Sequence, residues 1–369
     1  MNTWIEIDSR AIKHNLKEFK KLCGKNRLLM PVIKANAYGH GLLEVAKICD
    51  KTKQVSRICV VNCDEASKLI DNNIKKPIMI IGFFDFNIKK ALKLAKKNVI
   101  FPVFSLKQAK FLNRVGELMN KSVKISIKFD IGTSRLGFLP NQIEEVKKIN
   151  QYKKIFIDNI YGHLASSESD PQYTNKQIKL FNKILSELLS VGVKSKINHI
   201  SCSAACVLFK NARLNGARVG LGLYGLYSAK KMRTKIKLKP ALSMYTKILQ
   251  IKKIKKGTNI GYGGTFFASK NIDLAIMPVG YWDGYDRRLS NNSHVLINGQ
   301  RCPIRGNICM NLAMAELPLG HNFKEGDKVV LIGKDKNQLI TTDLLAKKCN
   351  TINYEFIDRL NPQIPRIII

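Results

Sequence analysis

The 369-residue chain contains no apolar stretch approaching the length of a membrane span. Its opening segment, MNTWIEIDSRAIKHNL, alternates polar and apolar side chains and lacks the apolar core of a signal peptide. A cytoplasmic protein without a membrane partner is expected. Its nine cysteines are odd in number and irregularly spaced, and no CxxC pair occurs, so neither a disulfide framework nor a zinc site is indicated. No metal is expected, and reduced thiols suit the cytosol. No GxGxxG follows the first strand-like run, which removes support for a dinucleotide-binding sheet. Acidic residues are scarce: 27 Asp and Glu face 63 Lys and Arg, a formal charge of +36. Such an excess invites a nucleic-acid reading, because phosphate binding needs clustered cations. The lysines are instead spread over nearly every helix-like stretch, as in KKALKLAKK (Lys89 to Lys97). A solvated face of biased composition accounts for them, so weak polyanion association fits and a dedicated nucleic-acid partner does not.

What is present is alternation. With 45% hydrophobic residues the chain can bury one large core and a smaller one. From residue 28 to about 225, short apolar runs alternate with amphipathic stretches, the pattern of a parallel α/β architecture. Eight runs read as strands: Leu28–Ile33, Arg57–Asn62, Pro77–Gly82, Val99–Phe104, Val123–Asp130, Phe156–His163, Lys196–Ser201 and Leu214–Val219. Eight is the count of a (β/α)8 TIM-type barrel, which places chemistry at the C-terminal strand ends. Pro31 fits poorly inside a central strand, so regular pairing is expected to start at or after it. Beyond about residue 240 the texture turns to short β-rich runs. Asn298-Gly299 between HVLI and QRCPI is the strongest hairpin signal, because both central positions of a type I′ turn need positive φ. The expected domains are a barrel over 7–236 and a mostly β domain over 237–369, to which residues 1–6 add a strand.

Lys34 lies where the apolar run LLMPVI ends, within VIKANAYGHG (Val32 to Gly41). An ammonium there must find partners or lose its proton, and a neutral amine can condense with an aldehyde to give an imine. The string resembles the pyridoxal-phosphate lysine motif of alanine racemases, and four later segments match that family in the same order over nearly the whole chain. They are SIKFDIGTSRLGF (Ser126 to Phe138), IYGHLASSE (Ile160 to Glu168), HISCSAA with ARVGLGLYG (His199 to Ala205, Ala217 to Gly225), and GYGGTF (Gly261 to Phe266), the last followed by INYE (Ile352 to Glu355).

The resemblance implies a homodimeric, pyridoxal 5'-phosphate-dependent racemase interconverting L- and D-alanine by a two-base mechanism, supplying D-alanine for peptidoglycan. It implies that Lys34 holds the cofactor and serves one face of Cα, while Tyr262 of the partner subunit serves the other. Tyr38, Ser203, Gly220, Leu221 and Tyr354 are implied for the phosphate. His163 is implied against the pyridine ring and paired with Arg218, and Arg218 at the ring nitrogen. Arg135 and Met310 are implied to meet the substrate. In many relatives the lysine matching Lys128 is carbamylated; an ordinary lysine is the alternative.

Three positions depart from the family. Cys202 stands where an asparagine usually precedes the phosphate serine. Asn307 and Asn311 replace an arginine and an aspartate, so either a gate ion pair is lost or specificity differs. A racemase for serine or basic amino acids is therefore the nearest alternative. A noncatalytic pyridoxal-phosphate carrier shares the barrel but usually lacks the β domain and its tyrosine.

Overall fold

The computed structural model describes residues 2–369. It divides into two compact units, one of Arg10–Lys34 with Val45–Pro240, the other of the chain up to Ser9, Ala35–Glu44 and Ala241–Ile369. The strand β1 (Trp4–Ile7) falls in the latter. In the former, β2 (Leu28–Pro31), β3 (Ile58–Val60), β4 (Ile78–Ile80), β5 (Phe101–Val103), β6 (Val123–Lys128), β7 (Ile155–Tyr161), β8 (Asn198–His199) and β9 (Gly216–Val219) alternate with helices. Parallel ladders join β2 to β9, β3 to β4, and β5 through β8 in order. Single parallel bridges, Val32 to Cys59, Met79 to Ile100 and Ser201 to Ala217, connect these groups into a closed eight-stranded ring. Strands covered on both faces read as near-continuous apolar runs, and β3, β4 and β5 are buried at every position.

Pro31 corrects one expectation. Pairing with β9 begins at Leu28 and runs through Pro31, in register Leu28–Gly216 to Pro31–Val219. The amides of Leu28 and Val32 donate toward β9, to Asn215 O and Val219 O, whereas that of Ile33 donates to Cys59 O on the other side. The N–H that proline lacks falls on that second side, so the β9 ladder loses nothing.

The outer helices show where the charge goes. In Ile88–Lys96, Asn87 caps the first turn by accepting from Lys90 N, Ala91, Leu94 and Ala95 are buried, and the lysines occupy the opposite face.

The other unit adds β10 (Leu242–Lys247), β11 (Gln250–Ile254), β12 (Ile272–Met277), β13 (His294–Ile297), β14 (Gln300–Pro303), β15 (Ala313–Glu316), β16 (Lys328–Asp335), β17 (Gln338–Ile340) and β18 (Arg366–Ile368). One sheet runs β14-β13-β16-β10-β1-β18, with β17 on β16; the second runs β11-β12-β15. β1 pairs antiparallel with β10 and parallel with β18, and the Trp4 and Tyr245 rings stack at 5.4 Å. Asn298 (φ 49°) and Gly299 (φ 81°) form the two-residue turn between β13 and β14. Among the described residues no helix is long and apolar enough to cross a membrane.

Candidate active site

The barrel's C-terminal strand ends carry a concentration of cations. Lys34 follows β2, Lys128 is the last residue of β6, and Arg135 lies in the loop after it. His163 lies two residues past β7, and Arg218 lies within β9. Burial first, then the charges of Arg135, Arg218 and Lys34, hold the Lys128 amine down to about 8, against an opposing pull from Asp130. The same cations, with desolvation leading, push His163 down to about 3, so its ring is neutral. Asp130 stays ionised although burial opposes it, because its carboxylate accepts the backbone N–H groups of Gly132, Thr133, Ser134 and Arg135. Those bonds shape the loop that presents the exposed Arg135.

Arg218 is buried and surrounded by neutral acceptors. Its Nη2 donates to Gly162 O at 2.7 Å and approaches His163 Nδ1 at 3.4 Å, while Nη1 contacts His199 Nδ1 and His199 O. The guanidinium also lies 5.2 Å from the centroid of the Tyr161 ring, which stacks on His199. Desolvation lowers the Arg218 pKa, but a guanidinium at that depth still keeps its proton at neutral pH. The structure thus brings His163 and Arg218 together. His199 is a partner that the sequence marked only as the first residue of HISCSAA.

Between β8 and the segment after β9, Ser203 Oγ accepts N–H from Gly220 at 3.1 Å and Gly222 at 3.3 Å. Leu221 opens the short 3-10 turn Leu221–Tyr224. Converging amides of this kind form an anion cradle, and glycine lets a ligand approach the backbone. Cys202 points elsewhere: its thiol contacts Ser167 Oγ at 3.1 Å, and burial raises its pKa, so it is a neutral space-filler.

After Lys34 the chain makes a left-handed turn. Ala35, Asn36, Ala37 and Tyr38 all have φ between 51° and 55°. Each such residue costs about 1–2 kcal/mol, so the turn persists only where its surroundings over-determine it. Asn36 Oδ1 accepts from Leu42 N, the buried His40 bonds Tyr38 O, and Arg366 donates to Gly39 O. Gly39 has no alternative, because a Cβ there would sit 2.0 Å from Ile357 O. This turn belongs to the β-rich unit, where the Tyr38 ring lies 6.2 Å from that of Tyr354.

In the same unit Tyr262 is 75% exposed, on a loop whose Gly261, Gly263 and Gly264 all have positive φ. Asn307 Nδ2 donates to Tyr262 O at 2.9 Å and ties this loop to the segment carrying Cys309 and Met310. Tyr281 N and Trp282 N donate in turn to Cys309 O and Met310 O. Tyr262, Tyr281, Trp282, Met310 and Leu312 thereby form one edge rich in exposed apolar groups.

Residues 7–228 match the family model described as alanine racemase, N-terminal domain, and residues 241–368 match alanine racemase, C-terminal domain. The chain belongs to the alanine racemase family. An alanine racemase of Methanococcus maripaludis is 38% identical, over 99% of this chain and 98% of that protein. One from Halothermothrix orenii is 35% identical, over 99% and 96%. Among solved structures, the alanine racemase of Clostridium difficile 630 superposes with a TM-score of 0.94 at 31% identity, covering 100% of this chain and 96% of that one. A histidine racemase from Leuconostoc mesenteroides subsp. sake gives a TM-score of 0.90 at 26% identity, covering 100% and 98%.

Proposed function

We propose that the chain interconverts L- and D-alanine with pyridoxal 5'-phosphate, as a cytoplasmic homodimer supplying D-alanine for peptidoglycan. The observation that carries this reading is the barrel end itself. Lys34, Lys128, Arg135 and Arg218 act on one another there as an excess of positive charge, and the Gly220 amide meets Ser203 after β8 and β9, a set that suits a phosphate dianion and a lysine amine. When bound, the cofactor supplies an aldehyde that condenses with an amine and a conjugated ring that acidifies the Cα–H. Lys34 would hold it, and Ser203, Gly220, Leu221, Tyr38 and Tyr354 would take its phosphate. Arg218 would donate to the ring nitrogen and, keeping its own proton, leave that nitrogen unprotonated, a condition that favours proton return at Cα. His163 supports Arg218 as a neutral acceptor. Arg135, with its planar fork, would orient the substrate carboxylate, and Met310 would line the substrate's side of the site.

Two faces of Cα need two proton carriers. Lys34 would serve the D-side and Tyr262 the L-side, the tyrosine coming from a second copy of the chain. The exposed edge around Tyr262, Trp282 and Met310 supports self-association, because exposed aromatic patches of this kind mark interaction surfaces. Chiral chromatography of each L-amino acid incubated with the purified protein tests the substrate. Turnover confined to histidine or serine would replace alanine, and the histidine racemase among the structural neighbours makes this the second reading.

Two residues give further expectations. Lys128, with its amine held down to about 8, has a neutral fraction able to add carbon dioxide: the nitrogen bonds the carbon and releases one proton, giving a carbamate anion near Arg135 and Arg218. Labelled bicarbonate should give a ¹³C carbamate resonance that grows as pH rises toward 8 and is absent from Lys128→Ala. A spectrum without it would leave an ordinary lysine. Asn307→Ala should free the three-glycine loop and lower kcat by roughly 3- to 10-fold with little change in KM, the scale of one lost hydrogen bond. An unchanged kcat would show that the bond to Tyr262 O has no bearing on turnover.

A further inference from the structure

From Arg218 a buried polar chain runs through His199, and the mechanism above does not use it. Ser126, Asn159 and His199 are all fully buried, in β6, β7 and β8. Asn159 Oδ1 faces two groups, Ser126 Oγ and, at 3.0 Å, His199 Nε2. Its Nδ2 donates to Asp158 Oδ2 at 2.9 Å and points to Met79 Sδ at 3.6 Å. Asp158 in turn is held by Arg57 Nη1 at 2.6 Å.

The amide's orientation follows from these partners. If Asn159 were flipped, its carbonyl oxygen would face the Asp158 carboxylate, two acceptors in contact, and its NH2 would face the imidazole. The observed orientation presents an acceptor to His199 Nε2, which must therefore carry the proton. Nδ1 is then unprotonated, and its lone pair faces Arg218 Nη1. This matters because, among the described residues, Arg218 has no carboxylate partner. A proton on His199 Nδ1 would set an N–H against a guanidinium N–H in a buried site, and a doubly protonated ring would set cation against cation.

We propose that Asn159 is a positioning residue. Oriented by the Arg57–Asp158 pair, it holds His199 in its Nε2–H tautomer, and His199 in turn fixes the guanidinium of Arg218. The relay runs from a carboxylate through an amide and an imidazole to the arginine, each member setting the hydrogen-bonding sense of the next. Its catalytic consequence rests on the role given above to Arg218; its tautomer consequence does not.

The test is ¹⁵N-histidine NMR of the purified holoprotein. With six histidines in the chain, His199 can be identified by the signals missing from His199→Gln. Long-range ¹H–¹⁵N correlations should show protonated Nε2 and bare Nδ1. A wild-type His199 protonated at Nδ1 overturns the proposal without any variant having to fold. Asn159→Leu, which removes the acceptor, should shift His199 to the Nδ1–H form or a mixture and lower kcat about 10- to 100-fold, the scale of lost outer-shell support, with KM little changed. Ser126→Ala, which leaves Asn159 Oδ1 in place, should retain the wild-type tautomer. An unaltered tautomer in Asn159→Leu, or an altered one with wild-type kcat, overturns the relay. If the racemase reading fails, the wild type is inactive while the NMR outcome still stands or falls alone.

Discussion

Lys34→Ala should lose racemisation by roughly 10⁴-fold, the upper end for one acid–base group, because the same nitrogen would both hold the cofactor and move a proton. Lys34 follows the end of β2 and precedes a left-handed turn whose residues are locked by Asn36, His40 and Arg366, so its main chain has little freedom to drift. Two measurements check this. Chiral chromatography should show negligible exchange between alanine enantiomers. Borohydride treatment followed by peptide mapping should fix pyridoxal phosphate on Lys34 in the parent protein and nowhere in the variant. A label on another lysine, or retained turnover, would refute the assignment.

Tyr262→Phe should be nearly as damaging for L-alanine, by about 10²- to 10⁴-fold, since only the hydroxyl is removed. The larger expected effect is a recovery. If Lys34 and Tyr262 of one site come from different chains, mixing Lys34→Ala with Tyr262→Phe protein gives heterodimers in which one site carries both lesions and the other carries neither. Activity should return toward half of wild type per heterodimer from two nearly inactive parents. Heterodimers verified by differential tags but without activity would exclude a shared site. The patch that would be covered is visible in the single chain, where Tyr262, Trp282 and Met310 are each more than half exposed.

Alternation of apolar runs with amphipathic helices was enough to specify eight parallel strands, because burial on both faces favours near-continuous apolar runs in barrel strands. The Asn-Gly turn at 298–299 was equally legible, since few residue pairs accept two positive φ angles. The lysine motif and its companions were readable as strings because each residue type there carries its own chemistry. What could not be read locally is what depends on neighbours distant in sequence. The place of Pro31 inside a paired strand is one such case, because the side of the ladder that its missing N–H faces is set by β3 and β9, strands far from it in the chain. Asn307 looked like a lost charge, and only the folded β domain turned it into a donor for Tyr262 O. The pairing of His199 with Asn159 has no local signature, because a buried polar residue acquires its role from the partner across the barrel, which no spacing within one strand reveals. Sequence alone determined the periodicities and the reactive side chains. Tertiary structure decided hydrogen-bond direction, tautomer and the depressed Lys128 amine, because these depend on distance and desolvation, which are properties of the packed chain.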